Sequence, residues 1–273
     1  MLLLATLQIS ACVVVPTPAV PLSPTQTAGF SEDRVQVSRM IAALGERDRR
    51  LACMQTTAVM EYTAGDKHVK AKEEIVVKRP ANMRVEAMSP FGTAVLLAAQ
   101  GPQLAIFEPG QNRFMVGKAD ADTLDKYVRI PMEPADAVGL LMALAPPSFA
   151  LSSEDYKVTN DGTMLIASYG DAASGTRQLG FEGGNLAMVR EGASGSRVEY
   201  EVRYSDYHDI GGLMFPYVVD ATFPAAGSHV TFRYQRPIVN SVIPDSTFVL
   251  TPAPGATITN MSVNDIGAFS DES

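Results

Sequence analysis

Between Arg197 and Tyr204 the chain alternates without a break: Val198, Tyr200, Val202 and Tyr204 take every second place, and Arg197, Glu199, Glu201 and Arg203 stand between them. Successive side chains of a strand point to opposite faces, so this period of two describes a strand with one apolar and one wet face. The pattern recurs: Met83, Val85 and Ala87 alternate with Arg84 and Glu86, and Val230, Phe232 and Tyr234 with His229, Thr231 and Arg233. Further strands are expected near 54–63, 68–78, 94–99, 104–108, 113–117, 163–169, 177–181, 186–191, 216–223 and 247–250, many separated by glycine-containing turns. One-sided alternation favours an antiparallel sheet, because parallel sheets are buried on both faces.

Three segments read as helices. From Ser31, taken as the N-cap, Glu32 and Asp33 fall in the first turn and Val37, Met40, Ile41 and Leu44 form one stripe; Arg47, Arg49 and Arg50 suit the negative C-terminal end. Residues 120–128 (DADTLDKYV) and 134–145 (PADAVGLLMALA) are the others, and the second is apolar on most sides and has to be buried. The hollow of a bent sheet is the simplest place for it. The expected fold class is therefore α+β, a strongly curved antiparallel β half-barrel with helices covering its apolar concave face.

Ahead of this domain, residues 1–11 (MLLLATLQISA) form an apolar run that ends on small residues, and no charge occurs before Glu32. The run is too short for the roughly 20 apolar residues of a membrane span and reads as an export signal peptide. Its missing basic start suggests a start codon upstream of Met1. The tetrapeptide Ile9-Ser10-Ala11-Cys12 resembles the lipobox of bacterial lipoproteins, which implies cleavage before Cys12, a covalent lipid on that cysteine and no other cofactor. Residues 12–30, with Pro16, Pro18, Pro21 and Pro24, read as an extended linker that could hold a domain roughly 50 Å from its anchor at about 3.1 Å per residue. The domain itself is placed at 31–260, and 261–273 reads as a flexible acidic tail. With Cys12 lipidated, Cys53 has no partner within the chain and is expected to be a small buried hydrophobe.

A net charge of -8 argues against nucleic acid and against adsorption to anionic lipid, both of which call for a basic face. No nucleophile elbow, phosphate loop, zinc-protease helix or Cys-x-x-Cys occurs, and His68, His208 and His229 stand apart, so an enzyme is not expected. Glu73 and Glu74 are neighbours on one strand and point to opposite faces, which stops them sharing a proton; Glu73 is read as an edge or turn-proximal exception to its strand. Asp120, Asp122 and Asp125 lack the glycine and glutamate of a calcium loop and suit a helix N-terminus. Gly183-Gly184 and Gly211-Gly212 read as hairpin turns.

The segment 78–96 (KRPANMRVEAMSPFGTAVL) resembles the middle of the LolA/LolB superfamily, and LolB-type receptors most: a strand with arginine and alternating apolar residues, a Ser-Pro-apolar-Gly turn, then a second apolar strand. Gln103 to Phe107 resembles the next strand, Ile130-Pro131-Met132 the lead-in to a helix, and Tyr204 to Tyr217 (YSDYHDIGGLMFPY) the tyrosine, loop and proline before the late strands. Phe248 to Gly255 (FVLTPAPG) is closer to LolA. The resemblance covers about residues 35–260; the chain departs from it in having no tryptophan, and it leaves unassigned the arginine that holds the lid of the carriers closed.

The resemblance implies a non-catalytic apolar site for acyl chains of lipoproteins or for phospholipid, with Val85, Ala87, Val95, Leu97 and Met142 as cavity residues. It further implies that Phe91, the apolar residue of Ser89-Pro90-Phe91-Gly92, is a membrane-contact residue at a loop tip. The expected role is lipoprotein sorting or insertion on the periplasmic face of the outer membrane, lipid-anchored, with a periplasmic carrier protein as a candidate partner. The competing reading is an envelope-stress sensor or structural lipoprotein of the same fold, its pocket regulatory.

Overall fold

The computed structural model describes residues 24–128, 130–149, 155–171, 173–193 and 197–261. The signal peptide, Cys12, most of the linker and the tail beyond Met261 lie outside the described residues. A long helix α1 (Pro24–Arg50) leads into a run of antiparallel strands: β1 (Cys53–Ala64), β2 (Lys67–Lys78), β3 (Asn82–Ser89), β4 (Gly92–Gln100), β5 (Gln103–Glu108) and β6 (Arg113–Lys118). Helices α2 (Ala121–Val128) and α3 (Pro134–Leu141) follow. The second run is β7 (Lys157–Asn160), β8 (Leu165–Asp171), β9 (Gly175–Glu182), β10 (Asn185–Gly192), β11 (Val198–Asp209), β12 (Met214–Phe223) and β13 (Ser228–Tyr234), and the short strands β14 (Ile238–Val239) and β15 (Thr257–Asn260) close the chain.

All of them belong to one open sheet, in the order β15-β6-β5-β4-β3-β2-β1-β13-β12-β11-β10-β9-β8-β7, with β14 added beside β1. The joint between the two runs is the pairing of β1 with β13, where Ala58 meets Tyr234 and Ala64 meets Ser228. Among the described residues only β15 pairs in parallel, on β6.

The sheet has to wrap. Helix α3 packs on β2 and β3 and is also hydrogen-bonded by Tyr204 of β11 and Tyr234 of β13. In a flat sheet β3 and β11 would stand about 24 Å apart at roughly 4.8 Å per strand, twice the 10–12 Å diameter of a helix. Curvature brings both within reach of α3, and one hydrophobic core joins Ile75, Leu97, Ile106, Leu179, Val202 and Phe215 from across the sheet. This is the expected half-barrel: its apolar residues line the concave face, the helices cover that face, and the sheet stays unclosed.

The helices fill the hollow as their stripes dictate. Val37 and Leu44 of α1 are buried, with Met40 and Ile41 packed beside them. Helix α1 starts at Pro24, ahead of the expected Ser31, so Ser31 lies within the helix and is not its cap. Asp120 accepts the Thr123 N–H at 3.0 Å and caps α2, which buries Thr123, Leu124 and Tyr127. Helix α3 ends at Leu141, shorter than expected, because Ala143 turns the chain with φ +52°.

One correction falls on the convex face. Residues 247–250 form no strand; Asp245–Phe248 is a single 3-10 turn that presses Phe248 and Ile243 against Cys53 and Val76. Cys53 is buried there as expected, its thiol donating to the Ser241 carbonyl at 3.2 Å.

Candidate functional site

Helix α3 is pinned at its C-terminal end. The last carbonyls of a helix have no partner within it, and these three find partners on other elements. Tyr204 donates to the Leu140 carbonyl at 3.0 Å, Tyr234 to the Leu141 carbonyl at 2.9 Å, and the Arg47 guanidinium to the Met142 carbonyl at 3.1 Å. Arg47 also donates to the Met214 carbonyl and lies 5.2 Å over the ring of Phe215. Burial lowers the Arg47 pKa from its ordinary value, and burial raises the phenol pKa values of Tyr204 and Tyr234. Both phenols thus stay protonated donors, and a guanidinium offers only N–H donors.

Arg47 was legible in the sequence only as one of three basic residues suited to a helix C-terminus. The structure gives it a further part, a half-buried link between α1 and the end of α3. The available signal was its spacing: it stands three residues after Leu44, on the buried stripe, whereas Arg49 and Arg50 are exposed.

The expected cavity residues fall into two groups. Leu97 and Met142 are packed in the core, Met142 with no exposure at all. Val85 and Val95 are half-buried against that core, and Ala87 is half-buried on β3 opposite Val95. Met142 and Leu144 of the α3 segment therefore occupy the hollow themselves.

At the end of the sheet the covering stops. There a cleft of about 570 Å³ opens between the β3–β4 turn and the β5–β6 turn, walled by Ser89, Phe91 and Val95 on one side and by Glu108 to Gln111 on the other. The Ser89 hydroxyl accepts the Phe91 N–H at 3.2 Å and donates to the Gly92 carbonyl at 3.0 Å, while Gly92 takes φ +118°. A side chain at Gly92 would be strained, and the turn so fixed throws Phe91 outward. Phe91 is 100% exposed, so it is no part of the core.

Elsewhere the chemistry is sparse. His229 bonds Asp220 and His208 bonds Asp206, both at 2.9 Å, while His68 faces Thr63. Among the described residues no three His, Cys, Asp or Glu side chains could hold a metal ion, and no helix is long and apolar enough to cross a membrane. Asp120, held by Lys118 and the N–H of Thr123, has its pKa pulled down to about 2, as a helix cap should. Glu73 departs from expectation: it lies in the middle of β2, buried on the concave face, and not at an edge or turn.

No protein-family model matches the chain, and no curated protein matches it. Among solved structures it is similar to a DUF1329 family protein from Desulfovibrio piger, with 12% identity over 81% of this chain and 97% of that one and a TM-score of 0.53. Weaker likenesses include a LolA superfamily protein from Nitrosomonas europaea, 14% identical over 73% and 91% of the two chains, TM-score 0.47. A Vibrio parahaemolyticus domain described as an outer membrane lipoprotein-sorting protein is 10% identical over 76% and 95%, TM-score 0.47. All of these likenesses are ones of fold.

Proposed function

We propose that the protein binds acyl chains of lipoproteins or phospholipids along its concave face, with α3 as the cover and the cleft beside Phe91 as the mouth. On this reading it works in lipoprotein sorting at the outer membrane, tethered on the periplasmic side by lipid on Cys12. One observation carries the reading: a fully exposed phenylalanine stands on a fixed turn at the rim of a cleft whose wall includes Val95, which packs against the core of the concave face. The cleft's volume lies in the range of about 300–1,000 Å³ usual for small-molecule sites. An exposed Phe gains about 1.5–3 kcal/mol when it enters an apolar phase, so the rim favours contact with lipid or with an acylated cargo.

The full-length protein is expected to take up an apolar fluorophore saturably and to release it to a diacyl phospholipid. Val95→Asp, which places a carboxylate in the wall of the mouth, should weaken uptake at least about tenfold while the protein stays folded, since a charge there loses its water when a chain enters. Absence of saturable uptake by the wild type, or equal uptake by the variant, contradicts the reading.

A further inference from the structure

The cleft beside Phe91 carries little charge. Residues 87–95, which supply one wall and its turn, contain no ionisable side chain, and neither do Pro109, Gly110 and Gln111 opposite. Among the described residues that line it, Glu108 alone is charged. Its side chain is 12% exposed and accepts a hydrogen bond from Arg113 Nε at 2.5 Å, across the register pair that closes the β5–β6 hairpin. That bond raises the Arg113 pKa, so the guanidinium is held by Glu108 and stays charged. Arg113 is not among the lining residues, and the pair therefore shows the cleft its negative end. Thr93, also in the wall, donates its hydroxyl to Glu86, which pairs with Arg84 at 3.7 Å.

A carboxylate that enters here has to shed water, finds no cation in the walls to replace it, and meets Glu108 at like sign. An ester or an amide loses far less water on entry. An amide also has an N–H to offer Glu108, because a carboxylate has about four acceptor positions and the bond from Arg113 does not exhaust them. Specificity of this kind comes from a repelling group set against the wrong ligand. We propose that the Glu108–Arg113 pair makes the cleft a headgroup filter, which admits acyl chains joined through an ester or amide and turns away free fatty acids. The filter rests on the acyl-binding reading and narrows it: the chains of lipoproteins and phospholipids are esters or amides, whereas the products of their hydrolysis are carboxylates. Glu108 sets the specificity, and Arg113 positions it.

Competition for a bound apolar fluorophore on the full-length protein reads the filter. The probes are dodecanoic acid, methyl dodecanoate and dodecanamide, each below its aggregation concentration, at pH 8, where the free acid is ionised. In the wild type the ester and the amide should bind at least about tenfold more tightly than the acid. Glu108→Gln should raise the affinity for the acid relative to the ester at least about tenfold, because it removes the like charge and frees Arg113 to pair with the ligand's carboxylate. Arg113→Gln removes the cation and keeps Glu108, so the acid should gain nothing. Glu74→Gln, an equal change of net charge at an exposed position of β2, should leave the ratio as in the wild type. Equal affinities for the three probes in the wild type, an unchanged ratio in Glu108→Gln, a gain of acid binding in Arg113→Gln, or the same gain in Glu74→Gln overturns the filter. Equal displacement by all three probes leaves the acyl-binding reading standing, whereas a wild type that takes up no fluorophore removes both.

Discussion

Phe91 is the residue at which the sequence reading and the function proposed here meet most closely. Its turn could be foreseen because Pro90 and Gly92 fix the backbone on either side, and the structure leaves the ring wholly in solvent. Phe91→Glu should therefore leave the urea midpoint nearly unchanged, within the roughly 0.5 kcal/mol usual for surface substitutions, and abolish delivery of a bound acylated cargo to liposomes. Destabilisation by several kcal/mol would contradict the outward placement, and undiminished delivery would contradict the role. Glu73 is the opposite case. Alternation assigns a face to each position but does not say how deep that face lies, so a carboxyl in an apolar row reads as an exception near an edge. Only the register, which sets Ala58 and Ala87 beside it on the concave face, makes it a buried acid. Arg47 was hidden for a related reason, since a basic residue in a last helical turn already has a sufficient local explanation.

Among the elements, α3 is the one the proposed function needs to move. Its two turns bury Ala137, Val138 and Leu140, while its C-terminal end is held from outside by two tyrosines and an arginine. Removing one of those donors cuts a tie between α3 and another element, although the Leu140 carbonyl keeps the Ala143 N–H at 3.0 Å. Tyr204→Phe is expected to cost about 1–2 kcal/mol in urea denaturation and to speed uptake of an apolar fluorophore; slower or unchanged uptake at that loss of stability would argue that α3 is plain core. The strands of the half-barrel were legible because most have one buried and one wet face, as β11 does with Tyr200, Val202 and Tyr204 turned inward. Those that were missed lack that contrast: β15 is exposed along its whole length, β7 has three exposed residues of four, and β14 is only two residues long. The segment 247–250 misled for a different reason. Its apolar residues seal the convex face as a 3-10 turn, a role that composition alone does not separate from a strand. Helix α1 begins before its apolar stripe, and Ser31, Glu32 and Asp33, which resemble a capped first turn, fall inside it.

For the molecule as a whole, the account joins an anchor, a rim and a covered trough. The lipid proposed for Cys12 would keep the domain near a bilayer, where a single exposed aromatic is enough to bias encounters, because tethering raises its effective concentration at the surface. Cys12→Ala is accordingly expected to move the protein from the membrane to the soluble periplasmic fraction or to leave it uncleaved; a processed variant that stays on membranes through a high-pH wash would remove the anchor from the account. Curvature, by contrast, was foreseen from the need to bury an apolar helix, and the sequence left open whether residues such as Met142 line a cavity or fill the hollow, since packing between distant elements leaves no local trace. The central claim is that acyl chains lie between α3 and the concave face. A diacyl lipid carrying a photoreactive group in its chain, crosslinked to the full-length protein and mapped by mass spectrometry, tests it most directly. The account predicts adducts on Val85, Val95, Leu97 and Met142, displaced by excess unlabelled lipid; adducts confined to the convex face, such as the patch around Val76 and Phe248, or no displaceable adduct, would contradict it.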